Sequence, residues 1–99
     1  MSSSQKRKGY RIEHQLVVLL KQNGINAKRV PLSGAQKDFS GDVIINDEMI
    51  GEVKARRSSF KSLYKWLTDR DVLFVKADRK PFLVVMPLEV FIKLVGGGK

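Results

Sequence analysis

Short apolar segments, none longer than five residues, recur along the chain and alternate between helical and strand spacing. Residues 10–23 carry apolar side chains at helical intervals and are followed by Gly24, a typical helix stop. Three short strands are predicted at 26–32, 42–46 and 49–55, with a hairpin turn at 46–48. A second helix is predicted at 58–68, capped by Ser58 or Ser59, then strands at 72–77 and 82–86, and a last helix opened by Pro87.

The resulting order, α-β-β-β-α-β-β-α, predicts an α/β fold with a mixed central sheet flanked by helices and a right-handed crossover. The 99 residues suit a single domain, which we place at 9–95, with a flexible basic arm at 1–8 and a flexible tail at 96–99. A domain of this size buries a modest core, so a homodimer is a reasonable expectation.

The charge balance indicates the partner. Nineteen Lys and Arg stand against ten Asp and Glu, a net charge of +9, which favours a polyphosphate ligand. An anionic membrane surface is the rival, but no long helix pairs a wholly basic face with a wholly apolar one. The absence of cysteine and the single histidine exclude thiolate and histidine-rich metal sites. No segment is long enough to span a membrane or is typical of a secretory signal, so we expect a cytoplasmic protein.

Three acids and a lysine occupy places that packing alone would not favour. Glu52 and Lys54 share one face of an apolar strand that should be central, where burial of both charges is costly unless they are paired. Asp42 opens the preceding strand, and the hairpin can bring it to Glu52 if the register permits. Glu13 lies at the boundary of the buried face of the first helix, where it could face the sheet edge.

This set suits magnesium chemistry. Asp42 and Glu52, with the backbone carbonyl of Val53, would supply the hard oxygen ligands that Mg²⁺ prefers, with Mn²⁺ as a possible substitute. Lys54 could orient or help deprotonate an attacking water and stabilise charge on a phosphate. Glu13 would bind a second ion directly or through water. The plainer alternatives are a solvated Glu-x-Lys strand face and a surface acid in the first turn of a helix.

An acid on the first helix, Asp at a strand start and Glu-x-Lys on the next strand resemble the PD-(D/E)xK, or restriction-endonuclease-like, nuclease superfamily, whose core is αβββαβ. Within it, KGYRIEHQLVVLLKQNGINAKRVPLSGAQKDFSGDVII and GEVKAR are similar to the archaeal-type Holliday junction resolvases. The likeness lies in the Lys-Gly pair, the acidic first helix, the strand containing Ala27 and Arg29, and the Ser-Gly loop. It covers residues 8–57. The sequence departs from the family at Gly41, where a proline is usual, and in its short length.

The resemblance implies metal ligands at Glu13, Asp42 and Glu52, a catalytic Lys54 and a functional serine at Ser33. It also implies a two-fold dimer that binds a four-way DNA junction and cuts two opposing strands with Mg²⁺. A flap, nick or duplex-end nuclease with the same site is an alternative. A non-catalytic nucleic-acid-binding module, with Asp42, Glu52 and Lys54 as a structural ion-pair cluster, is another.

Basic residues surround these positions and are predicted to contact DNA phosphates. They are Lys6, Arg7, Lys8, Arg11, Lys28, Arg29, Arg56, Arg57, Lys61 and Lys65. No base-reading motif is visible, so the sequence predicts salt-dependent recognition of backbone shape rather than base sequence. Trp66 lies outside the apolar stripe of the second helix. We expect it to occupy a partly buried core position; packing on a partner subunit or on a DNA end is the alternative.

Overall fold

A computed structural model describes residues 2–30 and 42–96 and divides the chain into two compact units, Met1–Ala55 and Arg56–Lys99. The first unit contains α1 (Ser2–Gln22), β1 (Ala27–Arg29), β2 (Val43–Ile45) and β3 (Met49–Gly51). The second contains α2 (Lys61–Trp66), β4 (Leu73–Val75), β5 (Leu83–Val85) and α3 (Leu88–Val95). The order of helices and strands is the one that the sequence predicts.

The first unit is built on an antiparallel sheet in the order β1-β2-β3. Ala27 is registered with Ile45 in the first pair of strands, and Ile45 with Met49 in the second. The β2–β3 turn has positive φ angles at Asn46 (54°) and Asp47 (57°), the conformation that Asn and Asp tolerate best among residues with a Cβ. The predicted hairpin is therefore confirmed.

Helix α1 contacts β1 and closes the core of this unit. The buried apolar side chains are Val17, Leu20, Ile25, Ala27, Val30, Val43, Ile44 and Ile45. The helix ends as the sequence predicts: Gly24 has a φ of 80°, and the amide of Ile25 turns back to the carbonyl oxygen of Leu20 at 3.0 Å.

The second unit is a β4–β5 hairpin with two short helices. Phe74 is registered with Val84, and the turn is closed by a 3.2 Å bond from the Lys80 amide to the Ala77 carbonyl oxygen. Neither α2 nor α3 contains a buried residue, and Phe74, Leu83 and Leu94 are each more than 60% exposed. Every buried apolar side chain in residues 10–30 and 42–96 thus belongs to the first unit.

Several boundaries differ from the prediction. The backbone of residues 2–9 is helical, so α1 begins at Ser2 and not at Tyr10; the flexibility of the arm at 1–8 stays a prediction.

The predicted cap of α2 is wrong: the N-cap is Phe60 without a side-chain bond, because Ser58 offers its carbonyl oxygen and not its hydroxyl to the amide of Lys61. Strand β3 ends at Gly51, before Glu52.

The described strands form two antiparallel sheets, β1-β2-β3 and β4-β5. The fold is therefore mixed α/β, as expected, and a single mixed sheet around a crossover helix stays a prediction. The single domain at 9–95 and the flexible tail at 96–99 stay predictions too. Within the described part of the chain, no helix has the length and apolar character needed to cross a membrane.

Candidate functional site

Asp42 joins the three strands of the first sheet at one end. Its carbonyl oxygen accepts a 2.9 Å hydrogen bond from the amide of Val30, and its own amide donates to the carbonyl oxygen of Gly51 at 2.8 Å. Its carboxylate oxygen Oδ2 accepts a 2.7 Å bond from the amide of Val53. Since continued strand register would pair Asp42 with Glu52, the bond to Gly51 shows that the regular ladder stops here. The carboxylate takes the place of a strand carbonyl and ends β3.

Glu52 and Lys54 follow directly after this end of the sheet. Lys54 Nζ lies 3.2 Å from Glu52 Oε2, and both side chains are 55% exposed. The two residues thus point the same way, as the alternation of an extended chain predicts. The expectation that they lie buried inside a central strand is wrong, because the strand has already ended. An exposed pair of this kind is weak and easily exchanged for another partner.

Glu13 is held elsewhere. Its Oε1 lies 3.1 Å from Nε of Arg29, in a pair whose side chains are only 15% and 21% exposed. The guanidinium carbon of Arg29 also lies 3.9 Å from the centre of the Tyr10 ring. Sequence reasoning missed Tyr10. The available signal was its spacing, since a residue three positions before Glu13 lies on the same side of a helix.

The candidate ligands are therefore gathered only in part. Asp42 is bonded to the backbone beside Glu52, whereas Glu13 is paired with Arg29. In residues 10–30 and 42–96 no three acidic or histidine side chains lie close enough to hold one metal ion. By chemical type, the carboxylates of Asp42 and Glu52 and the carbonyl of Val53 are hard oxygen donors, the kind that a divalent cation with few protein ligands and several retained waters takes. Ser33 lies outside the described residues.

The basic residues predicted to bind DNA differ in their surroundings. Arg11 and Lys28 are exposed in the first unit, where Lys28 Nζ lies 3.4 Å from Asp47 Oδ1. In the second unit Arg56, Arg57, Lys61 and Lys65 are exposed, and no acid lies between residues 56 and 68. The side chains of Lys6, Arg7 and Lys8 lie outside the described residues. The expectation that Trp66 is partly buried is wrong, since it is 55% exposed.

Fold and site together define a small basic α/β protein with an acid–acid–lysine set at the end of a β-hairpin. The family model described as archaeal Holliday junction resolvase (hjc) matches residues 4–65, more than half of the chain. The chain belongs to this family. The matched segment includes Glu13, Asp42, Glu52 and Lys54 and ends one residue before Trp66. Comparisons with curated proteins and with solved structures gave no match.

Proposed function

We propose that this protein is a Mg²⁺-dependent DNA endonuclease that hydrolyses phosphodiester bonds at four-way junctions. The observation that carries the proposal is the Asp42–Val53 hydrogen bond, which sets an acid beside the Glu52–Lys54 pair within the segment that matches the family. Family membership supports the junction as substrate, and the net charge of +9 supports a DNA partner.

The carboxylates of Asp42 and Glu52 and the carbonyl of Val53 would hold Mg²⁺, with Mn²⁺ able to replace it. When bound, the ion would lower the pKa of a coordinated water and offset charge on the scissile phosphate. Glu13 would contribute a ligand to a second ion, directly or through water, and its pair with Arg29 sets the direction of its carboxylate.

The other roles in the proposed reaction belong to side chains of the protein itself. Lys54 is exposed and weakly paired, so its ammonium group can turn from Glu52 to a phosphate oxygen or to the attacking water. One carboxylate oxygen of Asp42, Oδ2, accepts the hydrogen bond from the Val53 amide, and this bond fixes the orientation of the carboxylate. The other oxygen lies on the opposite side of the carboxylate group. Ser33 is proposed to act in the same reaction, as the family resemblance implies.

Exposed cations would hold the DNA backbone. Lys61 and Lys65 are separated by one helical turn on α2 and present two charges on one side of that helix. Each phosphate that they neutralise releases counterions, so the apparent affinity should fall steeply with salt and lose about one unit of log–log slope per contact removed.

Two finer features belong to the same proposal. One is the nuclease core with a single mixed sheet. The other is a two-fold dimer in which a second copy covers apolar side chains of the β4–β5 hairpin and of α3, such as Phe74, Val84 and Leu94, which are 50–66% exposed. A stable dimer would bury about 800 Å² on each copy. The molar mass in solution tests it, and Phe74→Glu should yield monomers.

The decisive experiment incubates the purified protein with Mg²⁺ and four labelled substrates of equal length: a four-way junction, a flap, a nicked duplex and a linear duplex. Preferential cutting of the junction in symmetric positions on two opposing strands is the expected result. Preference for flaps, nicks or duplex ends would keep the site and change the substrate.

A non-catalytic DNA-binding module is the second candidate. It is favoured by the observation that, in the described residues, each acid of the set already has a partner within the protein and no three-ligand cluster forms. In that case Mg²⁺ and Mn²⁺ at millimolar concentration would leave the melting temperature unchanged, whereas a metal site would raise it by mass action.

A further inference from the structure

Arg29 is fixed by groups from the middle of α1. Its Nε atom faces Glu13 at 3.1 Å, and one face of its guanidinium lies 3.9 Å from the centre of the Tyr10 ring. Arg29 itself stands on β1, where it is registered with Val43 of β2. The cluster, defined here as Tyr10, Glu13 and Arg29, therefore connects the helix to the sheet one residue away from the Val30–Asp42 hydrogen bond.

The exposures of the three side chains indicate which of them supports the others. Glu13 and Arg29 are 15% and 21% exposed, so the charged pair is mostly shielded from water. Tyr10 is 53% exposed as a residue, and its ring lies against the guanidinium. A planar guanidinium between a carboxylate at its edge and a ring on its face has little freedom to rotate.

We propose that Tyr10 is a positioning residue, which acts on Glu13 through Arg29 and sets the direction of the Glu13 carboxylate in the reaction. The inference rests on the proposed function, because it assigns Tyr10 to the same site. The ring supplies the effect through its electron-rich face, so the phenol hydroxyl is not needed. Removal of the ring lets Arg29 turn, and Glu13 then loses its preferred orientation.

The alternative function for an exposed tyrosine in a DNA-binding protein is direct contact with a base or phosphate. The two functions affect different quantities. A positioning residue alters the rate of the chemical step once DNA is bound, whereas a contact residue alters the affinity for DNA.

The test compares the full chain with Tyr10→Leu, which removes the ring but keeps apolar bulk and good helix propensity, and with Tyr10→Phe, which removes only the hydroxyl. Single-turnover cleavage of a four-way junction at saturating protein gives the rate. Fluorescence anisotropy with the same junction gives the dissociation constant. Hydrogen exchange of the Arg29 Nε proton, followed by NMR without DNA, reports on the cluster independently of activity.

Tyr10→Leu should slow cleavage and speed Nε proton exchange about two- to fivefold, the size of an exposed cation–π contact, with the dissociation constant unchanged. Tyr10→Phe should match the wild type throughout. The proposal is overturned if Tyr10→Leu weakens binding at an unchanged rate, if Tyr10→Phe is equally slow, or if proton exchange does not respond. A wild-type protein that does not cut junctions refutes the proposed function instead, and the exchange measurement then still decides whether Tyr10 holds Arg29.

Discussion

The carboxylate of Asp42 accepts a 2.7 Å hydrogen bond from the backbone amide of Val53, across the open end of the β2–β3 hairpin. This bond ties the residue before β2 to the segment that follows β3. It also orients Asp42, because a carboxylate that caps an amide cannot rotate freely. An asparagine can accept the same bond through its Oδ1 atom, so the negative charge can be removed while the geometry is retained.

Asp42→Asn should therefore slow cleavage strongly without unfolding the hairpin. If Asp42 ligates the metal as proposed, loss of its charge should reduce the rate by about 100-fold or more, given that residues supporting a ligand already cost roughly 10–100-fold. Binding of junction DNA should be equal or tighter, since a negative charge near the phosphates is gone. Cleavage and anisotropy assays on the same preparation check both expectations.

Asp47→Asn is the matched control for that variant. It removes the same charge from the same hairpin, at an exposed turn position whose φ of 57° suits asparagine. Its side chain contacts Asn26 at 3.0 Å and Lys28 at 3.4 Å, both on the far side of the hairpin from Val53. Cleavage by Asp47→Asn should remain at the wild-type rate. Equal losses of cleavage rate in the two variants would mean that the charge of Asp42 affects cleavage only through the overall electrostatic field of the protein.

Lys54→Gln separates catalysis from stability. The pair with Glu52 is 55% exposed on both sides, so its loss should change the free energy of unfolding by less than about 1 kcal/mol. The cleavage rate at saturating DNA should fall on the order of 100-fold, because the charge proposed to stabilise the transition state is removed. Urea denaturation and single-turnover kinetics measure the two effects. Lys21→Gln, which removes an exposed lysine from the last turn of α1, should leave the cleavage rate unchanged. A normal rate in Lys54→Gln would exclude Lys54 from the reaction.

Local patterns predicted the features that depend on neighbours in sequence. The order of elements, the stop at Gly24 and the turn at Asn46 and Asp47 all follow from spacing and from residues that tolerate positive φ. The proximity of Asp42 to the Glu52 segment was also expected, although turn length alone could not fix the register.

The features that the sequence could not predict depend on contacts between distant residues. Strand β3 ends at Gly51 because a side chain eleven positions before Val53 takes the amide of that residue. Glu13 and Arg29 are sixteen positions apart, and their pairing sets the direction of the Glu13 carboxylate. The position of Glu13 on its helix placed it only at the boundary of the buried face. Trp66 is exposed because α2 ends there and packs too little to cover an indole.

Trp66 gives a spectroscopic reading of DNA binding because it is the single tryptophan of the chain. It is 55% exposed and follows Lys65, a predicted phosphate contact. We expect its fluorescence to be quenched when junction DNA binds, through stacking of a base on the indole. Heparin, a polyanion without bases, should bind the same cations and leave the emission unchanged. If Trp66 packs on a second copy instead, its emission should vary with protein concentration and not with DNA.

Gly51 should resist substitution because of Val43. A Cβ at position 51 would lie 2.9 Å from Cγ2 of Val43, which is 1% exposed and has no open space to turn into. Gly51→Ala should therefore cost about 1–3 kcal/mol of stability, as overpacking of a core does. Val43→Ala alone should cost about 2 kcal/mol through lost burial.

Combining the two substitutions tests the cause. Once the Cγ2 methyl group of Val43 is absent, a methyl group at position 51 meets no obstacle, and alanine has a better strand propensity than glycine. Adding Gly51→Ala to Val43→Ala should therefore be neutral or stabilising. The coupling energy should then exceed about 1 kcal/mol, measured by urea denaturation of the four proteins of the cycle. Additive costs would show that Gly51 is required for its backbone conformation and not for the space beside Val43. In that case Gly51→Ala should weaken the hydrogen bond from the Asp42 amide to the Gly51 carbonyl oxygen. The cleavage rate should then fall by the same factor whether residue 43 is valine or alanine.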